Sequence, residues 1–354
     1  MSVQHFRKEF KDLLEQTIIP EGSSQEEIKN KLKPLVSLMI KHMPSRLFRY
    51  RDCSEQNFDA FEKDKLFAVS SDKFNDPYDC LFRYDIEKFR SDVMAGISKD
   101  GVCALRDYYQ AGGTIPLEQE SFLPKEMLEK VRELLINANE DDINRYTKRA
   151  EHNKSQLNDF IDKTALEAVE GVKRLAFIVC FSEDIHSVTM WSHYANSHKG
   201  FALAYNLRSF QMKCNNCTNE GQCNKALQGN IYPVVYSKDR YDASDYLGWY
   251  IGKSYGLNLK NPDISTAFKS QLYKSPQWSY EKEWRLIANK PNELTDKTPA
   301  CIEQVRPTAI FYGTRISYIN KKILHSMAQE KGIDEYQMYI DNKSYNYSIK
   351  YKKL

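Results

Sequence analysis

The stretch Trp278-Ser279-Tyr280-Glu281-Lys282-Glu283-Trp284-Arg285-Leu286-Ile287 constrains this chain more than any other. It starts as an aromatic turn after Pro276 and runs into an alternating segment. Strand side chains two apart share a face. A strand here puts Glu281, Glu283 and Arg285 on one side and Lys282, Trp284 and Leu286 on the other. Neighbouring carboxylates repel, so one takes a raised pKa or is held by a cation or a polar substrate group. Arg285 is the nearest built-in partner. A solvated strand face with an internal salt bridge is the competing reading, because charged strand faces are common and functional pairs rare.

Around this stretch, short apolar runs alternate with charged helical patterns. Strands are predicted at Leu47–Arg51, with Arg49 and Arg51 on one face, and at Leu66–Ser71, Gly200–Tyr205, Ile231–Tyr236 and Ala309–Gly313. The continuous apolar run Leu175–Phe181 reads as a buried strand. Residues 1–43 read as two helices covering a sheet. Ser24 and Glu27 have capping-box spacing, and Ile28, Leu32, Leu35 and Met39 recur at helical intervals. Helices are also predicted around 57–61, 190–194, 261–273 and 321–331, with a terminal hairpin from Tyr336–Ile340 to Tyr345–Tyr351. The class is α+β: a split, mixed or antiparallel sheet decorated by helical insertions. The expected division is N-terminal helices 1–43, an α+β domain 44–320 with a helical insertion 84–170 and a cysteine loop 206–229, and a C-terminal helix and hairpin 321–354.

The 51 basic and 48 acidic residues leave a formal charge of +3, too balanced to indicate a nucleic-acid protein by charge alone. No apolar run approaches a membrane span, and Met1–Lys8 has no signal-peptide core. The expectation is a cytoplasmic protein without membrane contact. The eight cysteines do not resemble a secreted disulfide framework in a chain of this length. Cys214-Asn215-Asn216-Cys217 presents two thiolates to one tetrahedral ion, and Cys223 supplies a third. Structural zinc and a loop of free thiols are both open here. The Lys343, Lys350, Lys352 and Lys353 tail reads as solvation of an edge strand.

Asn75-Asp76-Pro77 has the chemistry of an Asx turn and also of a pocket rim. His193 is a candidate general base, although a histidine beside Trp191 and Tyr194 is more often a hydrogen-bonded core residue. His193 and His198 stand five apart, a poor spacing for two ligands on one helical face.

Three motifs stand together: Phe74-Asn75-Asp76-Pro77, Trp191-Ser192-His193-Tyr194 with His198-Lys199-Gly200-Phe201, and Trp278–Ile287. The combination resembles the bacterial domain-of-unknown-function family numbered 2971, over roughly residues 47–315. A second similarity adds chemistry. Arg49 or Arg51, then Ser70-Ser71, then Glu281-Lys282-Glu283 follow the order of Arg–Ser–Glu ADP-ribosyltransferases, without the usual Ser-Thr-Ser triplet. That likeness implies an ADP-ribosyltransferase-like fold and NAD as substrate. Glu283 would hold the ribose hydroxyl and stabilise an oxocarbenium-like state, and Glu281 would position a protein or nucleic-acid acceptor. Arg51 would contact phosphate, Ser70 would orient Glu283, and Trp278 or Tyr280 would stack on nicotinamide. Arg49, Ser71, Asn75, Asp76, Trp191, Tyr194 and Arg285 complete the nucleotide-contacting set, and His193 the catalytic one. The expected function is an NAD-consuming transferase or glycohydrolase, with a toxin or anti-phage effector role implied by the company such families keep. Two alternatives stand beside it. One is a metal-dependent nuclease gathering Mg²⁺ on Asp76, Asp79, Glu281 and Glu283. The other is a non-enzymatic nucleotide sensor with a protein partner.

Overall fold

A computed structural model describes residues 3–115, 125–174, 177–208, 231–254, 260–288, 300–302, 305–345 and 347–354. Two helices open the chain, α1 (Val3–Gln16) and α2 (Gln25–His42). The second starts on the expected capping box. Ser24 Oγ accepts from Glu27 N at 3.3 Å, while Glu27 Oε2 accepts from Ser24 N at 2.7 Å. The chain then enters β1 (Leu47–Arg51), α3 (Glu55–Glu62) and β2 (Leu66–Ser70). Five helices follow: α4 (Ile86–Gly96), α5 (Lys99–Gln110), α6 (Lys125–Ile136), α7 (Glu140–His152) and α8 (Lys154–Arg174). They lead to β3 (Phe177–Ser182), α9 (Val188–Tyr194) and β4 (Phe201–Tyr205). Beyond these come β5 (Ile231–Pro233), β6 (Val235–Tyr236), α10 (Ser244–Ser254), α11 (Thr266–Ser270), β7 (Tyr273–Lys274) and β8 (Glu283–Ala288). The last elements are β9 (Ala300–Ile302), β10 (Ala309–Tyr312), α12 (Tyr318–Lys331), β11 (Asp334–Ile340) and β12 (Ile349–Lys353).

The class is α+β with a mixed, open sheet ordered β12-β11-β10-β4-β1-β3-β2-β9. Pairing is antiparallel throughout that path except between β10 and β11. Strand β3 is shared unequally. One edge pairs along its whole length with β8, Phe177↔Ala288 through Ser182↔Glu283. The other edge meets β2 only at Phe177 and Ile178, and β1 only at Ser182. Between those contacts β1 and β2 part, and the sheet opens into a slot over Val179–Phe181.

Apolar side chains pack on both faces. Alternation along β1 sends Leu47 to a cluster holding Phe10, Leu14, Leu35, Met39 and Trp284. Phe48 and Tyr50 go to the opposite cluster, with Trp191, Ala202 and Phe311. Burial of each such large side chain contributes roughly 1.5–3 kcal/mol. A smaller cluster joins Ile161, Ala165 and Ala168 of α8 to Leu247 and Ile251 of α10. Glycine is required where the segment after α9 returns to the sheet. A Cβ on Gly200 would stand 2.0 Å from the Arg51 carbonyl oxygen, and one on Gly313 2.3 Å from that of His198. Among the described residues no helix is long and apolar enough to cross a membrane.

Three local expectations are corrected. The predicted strand 231–236 breaks after Pro233, at Val234, so β5 pairs with β8 and β6 pairs with β7 in a separate small sheet. The helix predicted over 261–273 shortens to α11, and its end extends into β7. Pro276–Glu281 forms a 3₁₀ turn, and Lys282 takes a left-handed conformation, φ 46°, before β8 begins. Glu281 therefore precedes the strand instead of alternating along it.

Candidate functional site

The slot between β1 and β2 widens into a cavity of about 450 Å³. Its walls bring Arg49 and Arg51 of β1 together with Asn75, His193, Tyr194, Glu281 and Glu283. These seven were singled out from sequence, and they come from five separate segments.

On one wall the carboxylates are tightly held. Lys274 Nζ lies 2.6 Å from Glu281 Oε2, 2.9 Å from Glu283 Oε2 and 3.4 Å from Asp79 Oδ2. Behind it, fully buried Arg285 donates Nε to Glu283 Oε1 at 2.8 Å and Nη2 to Asp79 at 2.7 and 2.8 Å. The Glu283 oxygens are thus saturated by two cations. Burial opposes its charge, yet Arg285 and Lys274 keep Glu283 well below the usual carboxylate range. Burial also disfavours the Lys274 ammonium, but Glu283, Asp79 and Glu281 hold it protonated. Glu281 behaves differently. Its Oε1 accepts from Tyr194 OH at 2.6 Å, and its backbone carbonyl accepts from Ser182 Oγ at 2.6 Å. Burial first, then the Glu283 charge, pushes Glu281 up to about 7, with Lys274 and Tyr194 opposing the rise. Two carboxylates two residues apart therefore differ in kind: Glu283 is a fixed anion and Glu281 a group that titrates near neutrality.

The opposite wall is cationic. Arg49 Nη2 donates to the Phe67 carbonyl of β2 at 2.9 Å, bridging the slot, while its buried Nε and Nη1 have no hydrogen-bond partner. Among the described residues Arg51 donates to the Tyr50 carbonyl, at 3.1 Å, and burial lowers its pKa. Neither guanidinium has a carboxylate partner among the described residues. Both also reach a smaller hollow of about 290 Å³ lined by Phe61, Leu203 and Tyr205, on the face that β1 alternation assigns to Arg49 and Arg51. Exposed Lys73 adds a third cation to the larger cavity.

Other expected site residues lie elsewhere. Ser70 Oγ bonds the Asp72 carboxylate, and buried Ser71 Oγ donates to the Lys173 carbonyl at 3.1 Å, so neither orients Glu283. The chain leaves β2 into a 3₁₀ turn at Ser71 and carries both hydroxyls away. Asp76 is buried and accepts from Tyr78 N at 2.9 Å as an Asx turn, apart from the carboxylate cluster. Trp191 is wholly buried, donates Nε1 to the Ile185 carbonyl at 2.8 Å and packs edge-on to Tyr50, which makes it core. Arg285, also wholly buried, supports Glu283 from behind and presents nothing to a ligand. His193 is exposed at the cavity mouth, not in the core, with Nδ1 3.3 Å from Tyr280 OH. Trp278 lies over Lys274, 5.0 Å from Nζ to the ring centroid, and lines a different hollow. Asp79, Glu281 and Glu283 converge as a divalent-ion reading needs, but the point of convergence is the Lys274 ammonium. Cys214, Cys217 and Cys223 lie outside the described residues.

Lys274 is the central residue that sequence reasoning missed. Its position in Leu272-Tyr273-Lys274-Ser275 carries no periodic signal, and only the fold delivers its ammonium to three carboxylates. Tyr194, Lys274, Glu281 and Glu283 all fall within the span that matches a known family. Residues 190–286 match the family described as a protein of unknown function, DUF2971. That span holds two of the three sequence motifs and ends at Leu286, and it leaves Phe74–Pro77, Asp79, Arg49 and Arg51 outside. The DUF2971 resemblance thus covers one wall of the cavity. No curated protein and no solved structure gave a match.

Proposed function

We propose that this chain cleaves the glycosidic bond of a phosphorylated nucleotide, with NAD as the leading substrate, as an NAD glycohydrolase or ADP-ribosyltransferase. The observation that carries the reading is one cavity lined by a titratable carboxylate, Glu281, and by two guanidiniums without carboxylate partners among the described residues, Arg49 and Arg51. The guanidiniums suit phosphate oxygens as charge-assisted donors. The bond from ribose C1′ to nicotinamide breaks through an oxocarbenium-like state, which an ionised carboxylate beside the ribose stabilises. Glu281 takes that role in place of Glu283, because Glu283 is bound by two cations, Arg285 and Lys274, whereas Glu281 has one cation and a neutral tyrosine hydroxyl as partners. Water or an acceptor hydroxyl then adds at C1′, and Glu281 accepts its proton. Tyr194 and Lys274 hold the two Glu281 oxygens in place. The wider role of toxin or anti-phage effector belongs to the same proposal, and NAD loss in cells expressing the chain would test it.

The direct test is incubation with NAD labelled in nicotinamide. Release of free nicotinamide that disappears in Glu281→Gln and survives chelation of divalent ions supports the proposal; absence of binding and turnover sinks it. The saturation of Glu283 favours one second reading, a nucleotide sensor without turnover. Tight NAD binding with no nicotinamide release would select it.

A further inference from the structure

A second hollow of about 350 Å³ lies beyond Lys274, which it shares with the larger cavity. One partition separates them. The Phe74–Asp79 turn gives Asn75 and Asp79 to the first and Asp76 and Tyr78 to the second. The 3₁₀ turn likewise faces Glu281 into the first and Trp278 into the second. Tyr78 is 65% exposed here, so its ring is accessible from the hollow. Trp278 is half-buried, with one face on Lys274 Nζ. From the other wall come Lys238 and Arg240, both exposed and neither with a carboxylate partner among the described residues. Arg240 makes one long hydrogen bond, Nη1 to the Phe82 carbonyl at 3.5 Å. The size falls in the range of small-molecule sites, roughly 300–1,000 Å³.

Asp76, whose carboxylate accepts from Tyr78 N, and exposed Asp239 also line the hollow. The two aromatic rings, beside two cations without a carboxylate partner among the described residues, nonetheless complement a ligand with a planar ring and an anionic group. We propose that this second hollow binds a 5′-mononucleotide, its base against Trp278 and Tyr78 and its phosphate against Arg240 and Lys238. Bases stack on aromatic side chains with little dependence on sequence, and arginine engages phosphate through paired N–H donors. The proposal stands apart from the NAD reading, because none of these four residues lines the larger cavity.

The test is isothermal titration of the full chain with AMP, GMP, CMP and UMP in turn. Saturable binding of at least one is expected, weakened about tenfold or more by Arg240→Ala and by Trp278→Ala. Trp278→Phe, which keeps a ring, should retain most of the affinity, and Arg49→Ala and Glu281→Gln should leave it unchanged. Two results would overturn the assignment: no saturable binding up to millimolar nucleotide, or binding that survives Arg240→Ala and is lost in Arg49→Ala, which places the ligand in the larger cavity.

Discussion

Lys274→Met removes the one ammonium on which Asp79, Glu281 and Glu283 converge. The Lys274 side chain is 5% exposed, so solvent screens the interaction little. Its loss leaves Asp79 and Glu283 with Arg285 and leaves Glu281 with the Tyr194 hydroxyl alone. Removing one member of a buried ion pair costs about 3–5 kcal/mol, a large share of the roughly 5–15 kcal/mol that holds a folded domain together. The urea midpoint should fall by on the order of 1 M. The loss must also depend on pH. Without Lys274 the carboxylates repel across the gap and bind protons more tightly folded than unfolded. Stability then recovers as pH falls and protons neutralise them. Urea titrations of both proteins at pH 8 and pH 5 measure this. A loss below about 1 kcal/mol at pH 8, or an equal loss at both pH values, would refute the view that Lys274 serves to neutralise this cluster.

Glu281 has a folded pKa of about 7, above its unfolded value of 4.5, so its contribution is full below pH 4.5 and is lost as pH rises to 7. Glu281→Gln should flatten the stability profile across that window by up to about 3 kcal/mol; an unchanged slope would show that another group is responsible. Nicotinamide release should rise through about pH 7 as Glu281 ionises. Tyr194→Phe should move that midpoint upward, because its hydrogen bond favours the ionised form. Gly200→Ala drives a methyl into the Arg51 carbonyl and should destabilise by about 1–3 kcal/mol in thermal melts. Ser24→Ala, on the exposed capping box of α2, should cost only about 0.5–2 kcal/mol in the same assay.

The sequence by itself determined the elements whose signals are local. Alternation in Leu47–Arg51, the unbroken apolar run before Ser182, and the Ser24–Glu27 box depend on backbone period and nearest neighbours, and each stands where it was read. The α+β class followed from those elements, and so did the pairing of Arg49 with Arg51 on one face. Local signals failed where backbone geometry broke the period. The left-handed turn at Lys282 took Glu281 off the strand, and the break at Val234 cut one predicted strand in two. Only the tertiary structure decided which charges meet. Asp79 lies far along the chain from Lys274 and Arg285, and the Coulomb and burial effects that make Glu283 a fixed anion and Glu281 a titrating one exist only once they are packed together. The opening between β1 and β2 is likewise a property of how β3 shares its edge, which no run of residues encodes by itself.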